Sequence, residues 1–222
     1  MGVKVNEPNV IVNKIKVSRT SIGILRKLLL LRHFKNYSAQ DVSYLFGKKA
    51  NYFDEVEELK SFRKRIEEVF RLAGRLGNIH LADLFDIDID VEGDYKRLVI
   101  TKSITKEYIY YKMEIDHAGI SSTLFAINEE IPSSDHYFEM EQKNIKRFRV
   151  VFEELINKGY FLEKIETYQL YQKCLKDYQL YIRPVVLRDA MIELTKRKDS
   201  NIKLKYDNID RVGFRYYYIQ EE

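Results

Sequence analysis

The spacing of apolar residues changes three times along this chain, and each change restricts the kind of element that can lie there. Over residues 22–59 apolar side chains recur three and four positions apart, and over 85–115 they alternate. The helical spacing returns over 136–198, and alternation resumes over 202–218. Helices and strands that follow one another in blocks predict an α+β chain.

The punctuation refines this reading. Residues 3–17 alternate loosely around Val10, Val12, Ile15 and Val17, as an extended arm or a short strand would. Ser18 and Ser21 offer capping hydroxyls to a first helix built on Ile22, Leu25, Leu28, Leu29 and Arg32. Ser38 caps a second, short helix that runs through Phe46 to a stop at Gly47. A third helix is expected over 50–59, followed by a charged helical stretch over 60–76. Phe85, Ile87, Ile89 and Val91 alternate with acids as one face of a half-exposed strand. Strands over 95–101 and 107–115 would complete a small antiparallel meander, while Gly119, Pro132 and several serines mark 117–136 as a connection. A long helix over 136–158 carries Ile145, Phe148, Phe152 and Leu155 on one stripe and ends at Gly159. Thr167 caps a helix reaching Tyr178, and Pro184 opens another reaching Lys198. Two strands, 202–206 and 211–218, close the chain. At 222 residues it is long for one domain. Three segments are expected: a helical module over 1–80, a small β segment with its connection over 81–135, and a helical module with a hairpin over 136–222.

Composition sets the limits on function. Apolar residues at 45% and charged residues at 32% describe a globular protein with its own core. No run approaches the roughly 20 apolar residues of a membrane span, and no signal-peptide series opens the chain, so a cytoplasmic protein without membrane contact is expected. Cys174 is the only cysteine, which excludes an internal disulfide and a zinc ribbon. It lies with Tyr171 and Tyr178 in a helical pattern, as a small buried apolar residue would. His33, His80, His117 and His136 have no metal-ligand spacing. The acidic run from Asp86 to Glu92 lacks the Gly and Glu of a calcium loop, having Val91 and Arg97 at those positions. No catalytic residues, metal, cofactor or small-molecule substrate are expected. The net charge of +4 is unevenly distributed: eight Lys or Arg stand against Glu7 through residue 35, and six stand against fourteen acids over 81–143. Basic ends around an acidic middle fit a polyanionic partner.

Residues 38–57 carry the most specific pattern. Ser38 caps, Val42 and Phe46 are apolar anchors, Ser43 is small where two helices would cross, and Gly47 takes the turn. Tyr52, Phe53, Val56 and Glu57 follow in register. The segment resembles the helix-turn-helix of the lambda-repressor/Cro-like family, a bacterial-type regulator. That resemblance implies sequence-specific binding of double-stranded DNA, with a homodimer pairing two half-sites. Ala39 stands where Gln commonly opens the second helix, and Leu59 replaces the usual Gly. The third helix bears Asp54, Glu55, Glu57 and Glu58, so DNA contact is assigned to Lys48, Lys49, Asn51 and Tyr52 at its start. The C-terminal segment is similar to winged-helix domains. Its candidate contacts are Arg183, Arg188, Lys196 and Arg197, with Lys203, Lys205, Arg211 and Arg215 on the hairpin. The expected function is DNA binding in transcriptional regulation. The alternative is a protein-interaction module, antitoxin-like or an assembly component, whose helix-turn-helix does not touch DNA.

Overall fold

A computed structural model describes residues 9–58, 60, 95–117, 120–131, 135–196, 203–209 and 214–220. Its elements are β1 (Asn9–Ser18), α1 (Arg19–Phe34), α2 (Ala39–Leu45), α3 (Tyr52–Glu57), β2 (Tyr95–Ile104), β3 (Tyr108–His117) and β4 (Ile120–Glu130), followed by α4 (Asp135–Asn157), a 3-10 turn (Tyr160–Leu162), β5 (Ile165–Glu166), α5 (Thr167–Asp177), α6 (Pro184–Thr195), β6 (Lys203–Ile209) and β7 (Phe214–Gln220). The fold is mixed α+β with antiparallel sheets. The expected strand over 85–91 and helix over 60–76 lie outside the described residues, apart from Lys60. No helix among the described residues is long and apolar enough to cross a membrane.

The elements fall into two compact units. Residues 1–36 and 54–133 form the first unit, and residues 37–53 and 134–222 form the second. One boundary between them falls at Phe53 and Asp54, inside α3 and inside the 38–57 segment.

In the first unit the strands run β1-β2-β3-β4, each antiparallel to the next. Strand alternation puts Val17, Leu98, Ile100, Tyr111, Met113, Ile115 and Ile127 on the buried side. The apolar stripe of α1, with Ile22, Leu25, Leu28 and Leu29 buried, contributes to the same core. Ser18 caps α1 by accepting the Ser21 N–H at 3.2 Å. Charge is buried along with this apolar surface. Arg32 Nε lies 2.7 Å from Glu57 Oε1, and Arg32 Nη1 donates to Glu129 Oε2 at 2.8 Å. Lys102 Nζ donates to Asp54 Oδ1 at 2.8 Å and stands 3.6 Å from Glu57 Oε2. Burial alone would lower the Lys102 pKa, but Glu57 and Asp54 hold it above the ordinary lysine value. Tyr111 donates its hydroxyl to the Glu57 carbonyl at 3.0 Å.

The 117–136 segment corrects the sequence expectation, because β4 occupies most of what reads as a connection. As an edge strand it buries one large apolar side chain, Ile127, and leaves Ser121, Ser122 and Thr123 exposed. The ladder to β3 holds it in place, across a bulge between Met113 and Glu114.

In the second unit the strand order is β5-β7-β6, so the last strand inserts between the other two. Phe148 and Phe152 of α4 meet Phe161 with ring centroids 6.1 Å and 5.4 Å apart along the row. Such ring pairs are worth about 0.5–1.5 kcal/mol beyond the area they bury. Leu170, Cys174, Leu187, Met191 and Tyr217 extend this core. The α4 helix follows the expected span closely, and Gly159 ends it with φ 70.

Candidate nucleic-acid interface

The second unit holds the described DNA-contact candidates, and α2 is central to their placement. A seven-residue helix is too short to persist alone in water. Here Asp41 to Leu45 are all buried. The capping box is complete: Ser38 Oγ accepts the Asp41 N–H at 3.1 Å, and Asp41 Oδ2 accepts the Ser38 N–H at 2.8 Å. The same carboxylate reaches α6, where Oδ1 accepts the Val185 N–H at 2.8 Å and Oδ2 accepts from Arg183. Asp41 thus answers the positive end of α6 as well as the start of its own helix. At the other end of α2, Thr167 donates its hydroxyl to the Tyr44 carbonyl at 2.9 Å.

After α2 the chain turns at Gly47. Gly47 has φ 63, its N–H donates to Tyr44 O at 2.7 Å, and the Lys48 N–H donates to Ser43 O at 2.9 Å. Ser43 donates to the Ala39 carbonyl at 2.8 Å and accepts the Phe53 N–H at 2.9 Å, joining α2 to the start of α3. The α3 helix itself is shorter than the expected 50–59 span.

The candidate residues separate by accessibility. Lys49 and Asn51 are exposed, and Lys48 is half-buried with its ammonium 5.5 Å from the Tyr52 ring centroid. Tyr52 is only 5% exposed, so it packs under Lys48 and does not form part of the surface. Arg183 is held against the fully buried Asp41, and its own side chain is 28% exposed. On α6, Val186, Leu187, Ala190, Met191 and Leu194 are buried, while Arg188, Ile192 and Lys196 follow four residues apart on the outer side. Arg188 Nε lies 2.8 Å from Asp189 Oδ1, and Glu193 is bridged by Arg149 at 3.0 Å. Lys196 is the exposed C-cap residue. Arg197 and Arg211 lie outside the described residues, as do the side chains of Lys203 and Arg215, whereas Lys205 of β6 is exposed.

Two residues important to this surface are not apparent from the composition of the candidate segments. Asp41 reads in sequence as a helix-start acid, and its second role depends on a residue 142 positions away. Arg149 lies on α4, outside the segments that hold the candidate contacts. Cys174 is buried, and burial pushes its thiol up to about 12, which leaves it protonated and unreactive at neutral pH. No group of His, Cys, Asp and Glu among the described residues could hold a metal ion.

Comparison with protein-family models, with curated proteins and with solved structures found no match to this chain.

Proposed function

We propose that this chain binds double-stranded DNA through its second unit and acts in transcriptional regulation. The observation that carries the reading is the order of elements over residues 135–220. Helix, short strand, two helices and a hairpin follow one another, and the last strand lies between the other two. That order is similar to a winged helix, in which the helix before the hairpin enters the major groove and the hairpin tracks the backbone. In this reading α6 is the recognition helix, and Arg188 and Lys196 are its phosphate contacts. Lys48, Lys49 and Asn51 supply a second set of DNA-facing groups from the turn beyond α2. Arg183 and Tyr52 are positioning residues that aim these groups without touching DNA.

A gel-shift series over salt concentration tests the proposal on the intact chain. Replacing Arg188 and Lys196 with Ala should weaken binding to all sequences alike and lower the salt slope by about 0.9 for each phosphate no longer neutralised. Replacing Lys48 and Lys49 with Ala should weaken binding and also change which sequences are preferred, because this turn sets the aim of Asn51. Indifference to both pairs would reject the proposal.

A second reading, a protein-interaction module, has its own observation. The outer charges of α6 are matched by opposite ones, Arg188 by Asp189 and Glu193 by Arg149, while Val150, Leu162 and Tyr181 are exposed at 71%, 62% and 73% in the same unit. Binding to a protein partner that survives high salt, with no DNA shift, would favour it.

A further inference from the structure

The first unit brings more carboxylates than cations together at one buried place. Two cations reach Glu57, the last residue of α3: Arg32 of α1 at 2.7 Å and Lys102 of β2 at 3.6 Å. Neither serves it alone. Arg32 also donates to Glu129 of β4 at 2.8 Å, and Lys102 donates to Asp54 of α3 at 2.8 Å. Tyr111 of β3 faces the same residue with its hydroxyl on the Glu57 carbonyl, and burial keeps that hydroxyl neutral by placing it well above the ordinary tyrosine value. Glu58, the next residue along, forms a neutral pair with Lys60 at 2.6 Å. Among the described residues, three carboxylates therefore share two cations, which leaves one negative charge in excess.

The three carboxylates are not equivalent. Water reaches Asp54 and Glu129, whose side chains are 32% and 18% exposed, whereas that of Glu57 is 2% exposed. An ionised carboxylate is disfavoured most where it is most desolvated, and a partner shared with another acid offsets only part of that cost. Burial raises the Glu57 pKa, Arg32 and Lys102 pull it down, and the charges of Asp54 and Glu129 push it up again, so that it stays above the ordinary glutamate value. The excess charge of the cluster is thus removed most readily by a proton on Glu57.

We propose that Glu57 is a proton switch for the first unit: it holds a proton in the folded chain at mildly acidic pH, and losing that proton as the pH rises loosens the hold of α1 and the sheet on the end of α3. The cluster lies wholly in the first unit and does not depend on the DNA-binding reading of the second. An unfolded chain binds this proton only below about pH 4.3, and the folded chain keeps it to higher pH. The stabilisation is therefore fully present below that value and is lost as the pH rises through the folded pKa. Carboxylates held low by a bridge, such as Glu114 beside Lys112, act in the opposite sense, so variants are compared at each pH. Glu57→Gln copies the protonated form and strands no cation, because Arg32 keeps Glu129 and Lys102 keeps Asp54.

Two measurements on the intact chain test the switch: urea denaturation of wild type and Glu57→Gln, and carbon-detected NMR titration of the glutamate carboxyl groups in wild type, Glu57→Gln and Glu129→Gln. The wild-type midpoint relative to Glu57→Gln should fall steadily between about pH 4.5 and about pH 8.5, with the variant at least as resistant as wild type at the upper end. In the NMR titration one carboxyl should titrate above the ordinary glutamate range and be absent from Glu57→Gln. It should titrate at lower pH in Glu129→Gln, where Arg32 serves Glu57 alone, a change that a purely structural role for Glu57 would not produce. If Glu57→Gln does not fold, the wild-type and Glu129→Gln titrations decide between the outcomes. The proposal is overturned if no carboxyl titrates above the ordinary range, if Glu129→Gln leaves that titration in place, or if the wild-type midpoint relative to Glu57→Gln stays constant or rises with pH.

Discussion

Asp41 has no exposure to solvent, yet it holds together more of the second unit than any neighbouring side chain of α2. It accepts from the Ser38 backbone, the Ser38 hydroxyl, the Val185 backbone and the Arg183 guanidinium. Removing one member of a buried ion pair leaves the other charge without its partner and typically costs about 3–5 kcal/mol. Asp41→Ala should therefore destabilise the protein by about 3 kcal/mol or more in urea denaturation. Combining it with Arg183→Met should recover part of the loss, since the stranded charge is then gone. A loss below about 1 kcal/mol in the single variant would show that the carboxylate is not the anchor described here. In the other unit Arg32, Glu57, Glu129 and Lys102 form a buried network by the same logic.

Among the elements, the turn between α2 and α3 tests the local geometry most directly. Gly47 has φ 63, where a β-branched side chain is strained by about 1–3 kcal/mol. Gly47→Val should lower the denaturation midpoint accordingly. Gly159 offers a milder comparison: at φ 70 an added Cβ would sit 2.9 Å from Leu162 Cδ1, the end of a flexible side chain that is 62% exposed and can turn aside. Gly159→Ala should therefore cost only the backbone penalty, about 1 kcal/mol. Equal midpoints for Gly47→Val and the wild type would mean that the turn does not constrain the fold.

For the whole molecule, the consequential fact is that the chain alternates between units. Residues 37–53 belong with 134–222, so a C-terminal fragment cut at 134 lacks α2, the Asp41 cap on α6 and the partner of the Thr167 hydroxyl. Such a fragment should show poor dispersion in amide NMR spectra and rapid proteolysis within α5 and α6. Residues 1–80 expressed alone should fare no better, lacking β2, β3 and β4. A fragment of 134–222 as protease-resistant as the intact chain would contradict this division.

Much of the local structure is readable in the sequence because its causes lie within a few residues. Ser38 starts a helix, Gly47 and Gly159 stop two, Pro184 opens α6, and the 3.6-residue stripe of α4 predicts its length to within a residue at each end. These follow from backbone sterics and side-chain spacing, which act over one or two turns. The strand β4 is not readable in this way, because an edge strand with a single large buried side chain owes its existence to the ladder beside it. The candidate site divides along the same line. Its exposed lysines are visible in the sequence, whereas the burial of Tyr52 and the pairing of Arg183 with a carboxylate 142 residues away were decided only by packing. Periodicity states which face of an element is apolar. It carries no information about which distant element covers that face, and here the partner chosen by α2 determines which basic residues stay at the surface.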